Sequence, residues 1–215
     1  MCIIIGKPKG AALPPLSHIE KSWNSNSDGF GCLWTHSGEI RSYKTMSKGN
    51  CISFYKSITG EKKWLNIPML FHFRFATHGS KCVSNCHAYH DDENTVGFQH
   101  NGVLRFDVPI GMDITDSEYF FRYMFLPSYK MNGNNITEIS HVIDNLRGRG
   151  DKFAFIHDEN IHLFGKFIED GGCFYSNNGY KSYDKYDYYD SYYESNENNA
   201  VARTTPVSVS YKGCA

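Results

Sequence analysis

Apolar residues open the chain. Ile3, Ile4 and Ile5 run without a break into Gly6, the composition of a buried strand. Such a strand would fix the beginning of the chain in the interior instead of leaving it to fray. Ser17-His18-Ile19-Glu20 follows Pro14-Pro15 as a capping-box pattern and predicts a short helix to about Trp23. Residues 25–31 form a turn-rich loop containing Asp28-Gly29. Residues 31–35 and 40–43 flank His36-Ser37-Gly38-Glu39 and predict a hairpin. Residues 70–75 alternate: Phe71, Phe73 and Phe75 share one face, expected to be core, while Leu70, His72 and Arg74 share the other. Arg74 is thereby expected at the end of a strand, facing away from the phenylalanines.

Further along, Thr115-Asp116-Ser117-Glu118 is a second capping box, followed by a helical stripe of Phe120, Phe121, Met124 and Phe125. Ile136, Ile139, Val142, Ile143 and Leu146 repeat at helical spacing and are closed by Gly148 and Gly150. Residues 153–157 and 161–167, around Asp158-Glu159-Asn160, predict a second hairpin, and residues 173–176 a last strand. Strands toward both ends with helices between them predict an α+β sandwich of mostly antiparallel sheets. The texture then changes, with seven tyrosines among Asp, Lys, Ser and Asn over 180–199 and almost no aliphatic residues. That composition lacks the apolar mass to offset ordering entropy. The expected organisation is a domain over 1–178, a tyrosine-rich disordered linker over 179–200, and a short C-terminal tail over 201–215 that holds at most one strand.

Composition narrows the function classes. The chain has 215 residues, 40% of them hydrophobic, and a net charge of −1. Near-neutral charge gives no electrostatic basis for binding nucleic acid or an anionic membrane. No apolar run approaches the ~20 residues of a membrane span. No basic stretch followed by a hydrophobic one marks a signal peptide at the start. Seven scattered cysteines, an odd number in a chain too long to need staples, fit reduced thiols and a cytoplasmic location better than a disulfide framework.

The candidate chemistry begins at Cys2. Methionine excision requires a small second residue, so removal of Met1 would leave a thiol and an α-amino group on one residue. These titrate near ~8.5 and ~8 respectively, so both exchange protons near neutral pH. The pair is a nucleophile with a built-in base. Three other segments carry polar groups at places where a site could form: Arg74-Phe75-Ala76-Thr77-His78-Gly79, Gln99-His100-Asn101-Gly102, and Thr115 to Glu118.

These blocks together resemble the glutaminase domain of class II glutamine amidotransferases, which are N-terminal nucleophile hydrolases. That family reads a first-position Cys, then Arg-x-x-Thr-x-Gly, Asn-x-His, His-Asn-Gly and Asp-Ser/Thr-Glu. The matches here are Cys2, Arg74 to Gly79, Asn85 to His87, His100 to Gly102, and Asp116 to Glu118, in the family's order over about residues 2–178. The resemblance implies a four-layer αββα sandwich and hydrolysis of L-glutamine to glutamate and ammonia through a Cys2 thioester. It further implies an oxyanion hole made by the Asn101 side chain and the Gly102 N–H. Arg74 would hold the substrate α-carboxylate and Asp116 its α-ammonium. Thr77, His78 and His87 would complete the pocket, with Asp28 and Gly29 on the rim. It implies no cofactor, and an ammonia acceptor or synthase partner on another chain. One departure is clear: the family's Asn-Ala-His-Pro is Asn85-Cys86-His87-Ala88 here, so the loop carrying His87 lacks its proline.

Other readings stand beside these. Asn101-Gly102 is also the commonest tight-turn dipeptide, and Asp116 also suits a helix first turn. Cys82, Cys86, His87 and His90 have spacing that would admit a metal, although a second Cys/His pair at zinc-finger distance is missing from the sequence. At the level of function, the alternatives are another N-terminal nucleophile hydrolase acting on a γ-glutamyl or related amide, and a non-catalytic interaction module.

Overall fold

The computed structural model describes residues 1–146, 150–181 and 207–208. Two antiparallel sheets lie face to face between two layers of helix. The first sheet has the order β3-β2-β4-β1-β10-β9 and the second β11-β8-β7-β6-β5. Strand β1 (Ile3–Lys7) sits inside the first sheet, paired with β4 (Met69–Phe73) on one side and β10 (Cys173–Tyr175) on the other. Every residue of β1 is buried. Ile3 and Ile5 pack toward the outer helices, while Ile4 packs toward the second sheet. That is why Ile3 to Ile5 are apolar at every position, without the alternation of a half-exposed strand.

The outer face of the first sheet is covered by helix α1 (Leu16–Ser25) and helix α2 (Lys48–Ile58), which contribute Ile19, Trp23, Cys51, Tyr55 and Ile58 to one core. The sheet's other half is the hairpin of β2 (Phe30–His36) and β3 (Glu39–Thr45). In the second sheet, β6 (Val96–Asn101) runs between β5 (Tyr89–His90) and β7 (Lys152–His157), and β7 pairs onward with β8 (Asn160–Phe164). Its outer face packs on α3 (Asp116–Tyr119), α4 (Leu126–Met131) and α5 (Ser140–Leu146), through Phe98, Phe120, Phe121, Phe125, Ile139 and Ile143. A π-helical segment, Phe120–Phe125, joins α3 to α4 just before Pro127, which has no N–H to give to the preceding turn. Ile4, Leu33, Leu70, Ala154, Ile156 and Ile161 fill the layer between the sheets. The layers are α, β, β, α, as the resemblance implies.

Several expectations change in detail. Ser17 does not cap α1: Pro15 is the capping residue, and the His18 N–H reaches its carbonyl at 2.9 Å. Helix α2 has no counterpart among the expected elements, although Ser47 caps it by accepting the Asn50 N–H at 3.3 Å. Strand β9 (Ile168–Asp170) also extends the first sheet. The stripe from Ile136 to Leu146 is helical only from Ser140, after an Asn135 side-chain turn that accepts the Thr137 N–H. Phe75 is not core but 48% exposed. Regular pairing stops when the Arg74 N–H bonds Gly29 O at 2.8 Å, and alternation no longer governs the next residue.

At the C-terminal end of the packed body, Tyr180 is fully buried. Its ring stacks on Tyr175 at 3.7 Å and its hydroxyl donates to Asp170 at 2.9 Å, so packing continues two residues beyond Asn178. Val207–Ser208 forms β11, paired with Leu163 and His162 of β8. The remaining residues of the expected linker and tail lie outside the described ones.

Candidate active site

β1 carries Cys2 to the end of the first sheet, where β4 gives way to the loop beginning at Arg74. The Cys2 thiol accepts the Phe75 N–H at 3.3 Å and faces Phe75 O at 3.5 Å, while Asn177 Nδ2 donates to Cys2 O at 2.7 Å. Burial pushes the thiol pKa up, against the lowering effects of the Phe75 N–H, the terminal amine and Arg74. A thiol so placed is protonated near neutral pH and needs a base to become a nucleophile. With Met1 attached, the Cys2 nitrogen is an amide and supplies none. Met1 itself is 77% exposed.

Two cavities meet at Cys2, Phe75, Thr77 and Gly102. The smaller is a cleft of about 10 Å³ lined also by Arg74, His78, His87, Thr115, Asp116 and Ser117. The larger, about 730 Å³, is bordered by Met1, Asn101 and Val103 among others. The eight residues expected to be catalytic or substrate-binding all line one cavity or the other, whereas Asp28 and Gly29, expected on the rim, line neither.

In the cleft, Arg74 is 2% exposed, and its two terminal nitrogens donate to Ser80 O at 3.0 Å and His78 O at 2.9 Å. A guanidinium has five N–H donors, so three remain for a carboxylate. Asp116 is held by Leu104 N–H on Oδ2 at 2.8 Å and by Ser117 N–H on Oδ1 at 2.8 Å. Thr115 caps α3 by accepting the Glu118 N–H at 3.0 Å, which places Asp116 in the first turn with its carboxylate turned inward. The loop after Arg74 is tied down by other carboxylates. Asp28 accepts the Ala76 N–H at 2.9 Å and pairs with Lys81 at 2.6 Å, and Asp113 accepts the Ser80 N–H at 3.0 Å.

His87 lies under the cleft. Its Nδ1 and His72 Nε2 both bond the His100 carbonyl, at 2.9 and 3.0 Å. A carbonyl only accepts, so both rings carry their protons on those nitrogens. His72 stacks on His87 at 4.1 Å. Burial lowers the pKa of all three histidines, His72 to about 3, His100 to about 4, and His87 with added repulsion from His72, His100 and Arg74. The loop carrying His87 is firm without proline. A Cβ on Gly31 would meet His87 O at 1.8 Å, so only glycine lets the loop lie this close to β2.

On the other wall, Asn101 ends β6. Its Nδ2 donates one hydrogen to Ser176 Oγ at 2.9 Å, which also accepts the Ile4 N–H at 2.8 Å. The other amide hydrogen remains. A Cβ on Gly102 would lie 2.0 Å from Asp151 Oδ1 and 2.7 Å from His100 Nε2, so glycine is required there by close approach and not only by a turn. Cys82, Cys86, His87 and His90 do not converge on one point. Cys86 Sγ faces Thr45 O, His87 faces His100 O and His90 faces Asp91 O, and no group of three or more metal-ligating side chains forms among the described residues.

No family model matches the chain, and no curated protein matches it in sequence. Among solved structures, glutamine phosphoribosylpyrophosphate amidotransferase from B. subtilis, complexed with ADP and GMP, aligns over 81% of this chain with a TM-score of 0.53 and 14% identity. The fold is that of a class II glutamine amidotransferase domain. The alignment spans 41% of that protein's chain. A glutamine aminotransferase class-II domain protein from Silicibacter pomeroyi aligns at a TM-score of 0.39 and 13% identity, over 75% of this chain and 76% of that one.

Within this amidotransferase fold, several groups near Cys2 were not signalled by motif. Ser176 and Asn177 hold Asn101 and Cys2 from β10's end, across 75 and 175 positions of sequence. Only pairing of β10 with β1 brings them there. Ser117 bonds His100 Nδ1 at 2.8 Å and was legible only as part of the Asp-Ser-Glu block.

Proposed function

We propose that the protein is a glutamine amidohydrolase of the class II amidotransferase type, whose nucleophile is Cys2 after removal of Met1. The observation carrying this reading is the meeting of the two cavities at the Cys2 thiol. Arg74 and Asp116 lie on one side, and Asn101 and Gly102 border the other.

Once Met1 is removed, the α-amine of Cys2 takes the thiol proton, relayed by water because the two groups sit poorly for direct exchange on one residue. The thiolate attacks the side-chain amide carbon of L-glutamine. The developing oxyanion is met by the second Nδ2 hydrogen of Asn101 and the Gly102 N–H. The protonated amine gives its proton to the departing nitrogen, ammonia leaves, and a γ-glutamyl thioester remains on Sγ. Water, deprotonated by the same amine, opens it to glutamate. Arg74 offers its three remaining donors to the α-carboxylate, and Asp116 Oδ2 accepts from the α-ammonium. Opposite charges at the two ends of this clamp select a free amino acid over glutamine within a peptide.

A partner that receives the ammonia is part of this reading, and a reduced thiol suits the cytoplasm. No described helix is long and apolar enough to cross a membrane. The deciding experiment is an intact mass of the purified protein together with ammonia release from L-glutamine and from glutamine blocked at its α-amino or α-carboxyl group. Loss of Met1 and turnover of free glutamine alone are expected. Comparable turnover of blocked and free glutamine would favour a general amide hydrolase, and retained Met1 without turnover would favour an interaction module.

A further inference from the structure

The loop between β4 and β5 serves the site twice: its carbonyls at His78 and Ser80 hold Arg74, and its far end carries His87. It also contains two cysteines, Cys82 and Cys86, that the site does not use. Cys82 is the one cysteine among the described residues that is not buried. Its sulphur lies 3.3 Å from Ser80 Oγ and 3.0 Å from Ser84 Oγ, and these hydroxyls hold its pKa below the ordinary value. Thiols that reach solvent and ionise easily are the first to oxidise. Cys86 is fully buried, and its sulphur sits 3.6 Å from the Cys82 carbonyl oxygen. Between them is a tight turn, closed by the Cys86 N–H on Val83 O at 3.1 Å. A carbonyl oxygen lies roughly 2.4 Å from its own Cα, which puts the Cys86 sulphur within about 6 Å of the Cys82 Cα. Rotation of the Cys82 side chain, with a small adjustment of the turn, brings the two sulphurs to bonding distance. Lys44 stands beside the turn, its Nζ donating to Ser84 O at 3.0 Å. Burial pushes the Cys86 thiol pKa up, and the charges of Arg74 and Lys44 act against that rise.

We propose that Cys82 and Cys86 form a reversible oxidation site, which takes a hydroperoxide and closes a disulfide across this turn. The Cys82 sulphur attacks the peroxide: an S–O bond forms, the O–O bond breaks, and the outer oxygen leaves as water or alcohol. The Cys86 sulphur then attacks Cys82: the S–S bond forms, the S–O bond breaks, and that oxygen leaves as water. The two thiol protons go to the departing oxygens, so the cysteine pair loses two electrons and the hydroperoxide gains them. Cys2 is the slower target, because burial raises its thiol pKa. Closure reaches the substrate cleft by two routes. It takes the Cys82 sulphur from Ser80, whose carbonyl holds Arg74 at 3.0 Å and Asn85 Nδ2 at 3.1 Å. It also draws the Cys86 sulphur from Gly29, where a Cβ would lie only 2.3 Å from it, and Gly29 O accepts the Arg74 N–H. This consequence rests on the glutaminase reading: the oxidised protein holds the α-carboxylate less well while its nucleophile stays intact.

The full-length protein is treated with a small excess of hydrogen peroxide, denatured, alkylated with iodoacetamide and digested with trypsin. Both cysteines fall in the peptide 82–105. That peptide is expected to carry no label and to have lost two hydrogens, and dithiothreitol before alkylation should restore both labels. Cys82→Ser should abolish the bridge, and Cys86→Ala should leave a sulfenic acid on Cys82 that dimedone traps. In ammonia release from L-glutamine, bridging is expected to raise KM about tenfold, the effect of weakening one charge-assisted contact, with kcat little changed. Reductant should reverse the rise, and Cys82→Ser should keep the low KM under peroxide. The proposal is overturned if both thiols still take label after peroxide, if either links to a different cysteine, if Cys82 passes to sulfinic acid without a bridge, or if the bridged protein keeps the KM of the reduced one. Mass reads the bridge without any turnover, whereas failure of the glutaminase reading shows as absence of ammonia release by the reduced parent.

Discussion

On one side of Cys2, Arg74 and Asp116 are buried and held by main-chain groups: the carbonyls of Ser80 and His78, and the N–H groups of Leu104 and Ser117. On the other side, Phe75, Val103 and Arg105 are exposed around an open cavity, while Asn101 and Asp151 are held by Ser176 and the Val103 N–H. A buried charge must be surrounded by partners or it is too costly to keep. The closed side therefore tolerates few alternatives at each position, and its ligand is defined by charge and length. The open side is free to vary, and its residues set what else can approach the thiol.

The largest effect tests what both sides share. Cys2→Ala should remove glutamine hydrolysis, with a loss on the order of 10⁴-fold or more, while the far-UV spectrum stays that of the folded protein. A stoichiometric label from a glutamine-like activated ketone should disappear with it. Persistence of the label would assign the chemistry to another of the free cysteines.

Arg74→Gln probes the closed side. Truncating one partner of a desolvated ion contact costs about 2–5 kcal/mol, and the loss should appear chiefly in KM. On the opposite wall, Asn101→Ala should lower kcat roughly 10²–10³-fold, about 2.7–4 kcal/mol, with KM little changed. The two variants thus separate binding from chemistry. Steady-state rates that show the reverse split would invert the assignment of the walls.

The last effect is on stability and not on rate, and concerns the layer beneath the closed side. An unfolded histidine titrates near ~6.5, whereas burial holds His100 at about 4, His72 at about 3 and His87 low as well. The folded state therefore binds fewer protons than the unfolded one below ~6.5. Stability should be level above that pH and fall progressively toward pH 4 and below, by up to ~1.4 kcal/mol per histidine per pH unit. Urea midpoints taken at pH 7, 6 and 5 measure this, and a flat series would mean that the rings are solvated.

The closed side was the more legible in sequence, for a physical reason. A group that must be buried, charged and placed at a strand end or helix start leaves local marks: alternation up to Arg74, and the Thr115 cap before Asp116. Phe75 broke the same alternation because pairing ended at Gly29. Helix α2 escaped notice because its buried stripe, Cys51, Tyr55 and Ile58, has little contrast with its surroundings. Ser176 and Asn177 had no local signal at all. Their roles come from strand order, which pairs residues at opposite ends of the chain.

The place of β1 also sets a timetable. Of its two neighbours, β4 lies about seventy residues downstream, but β10 is not synthesised until residue 175. Chains emerge from the ribosome in order, so β4 is available to pair with β1 long before β10 can close its other edge. An aminopeptidase can reach Met1 throughout that interval. Removal of Met1 in that interval would free the Cys2 amine before Ser176 and Asn177, at the end of β10, stand beside Asn101 and Cys2. On the proposed reading, the surroundings of the nucleophile are completed by a late, long-range closure.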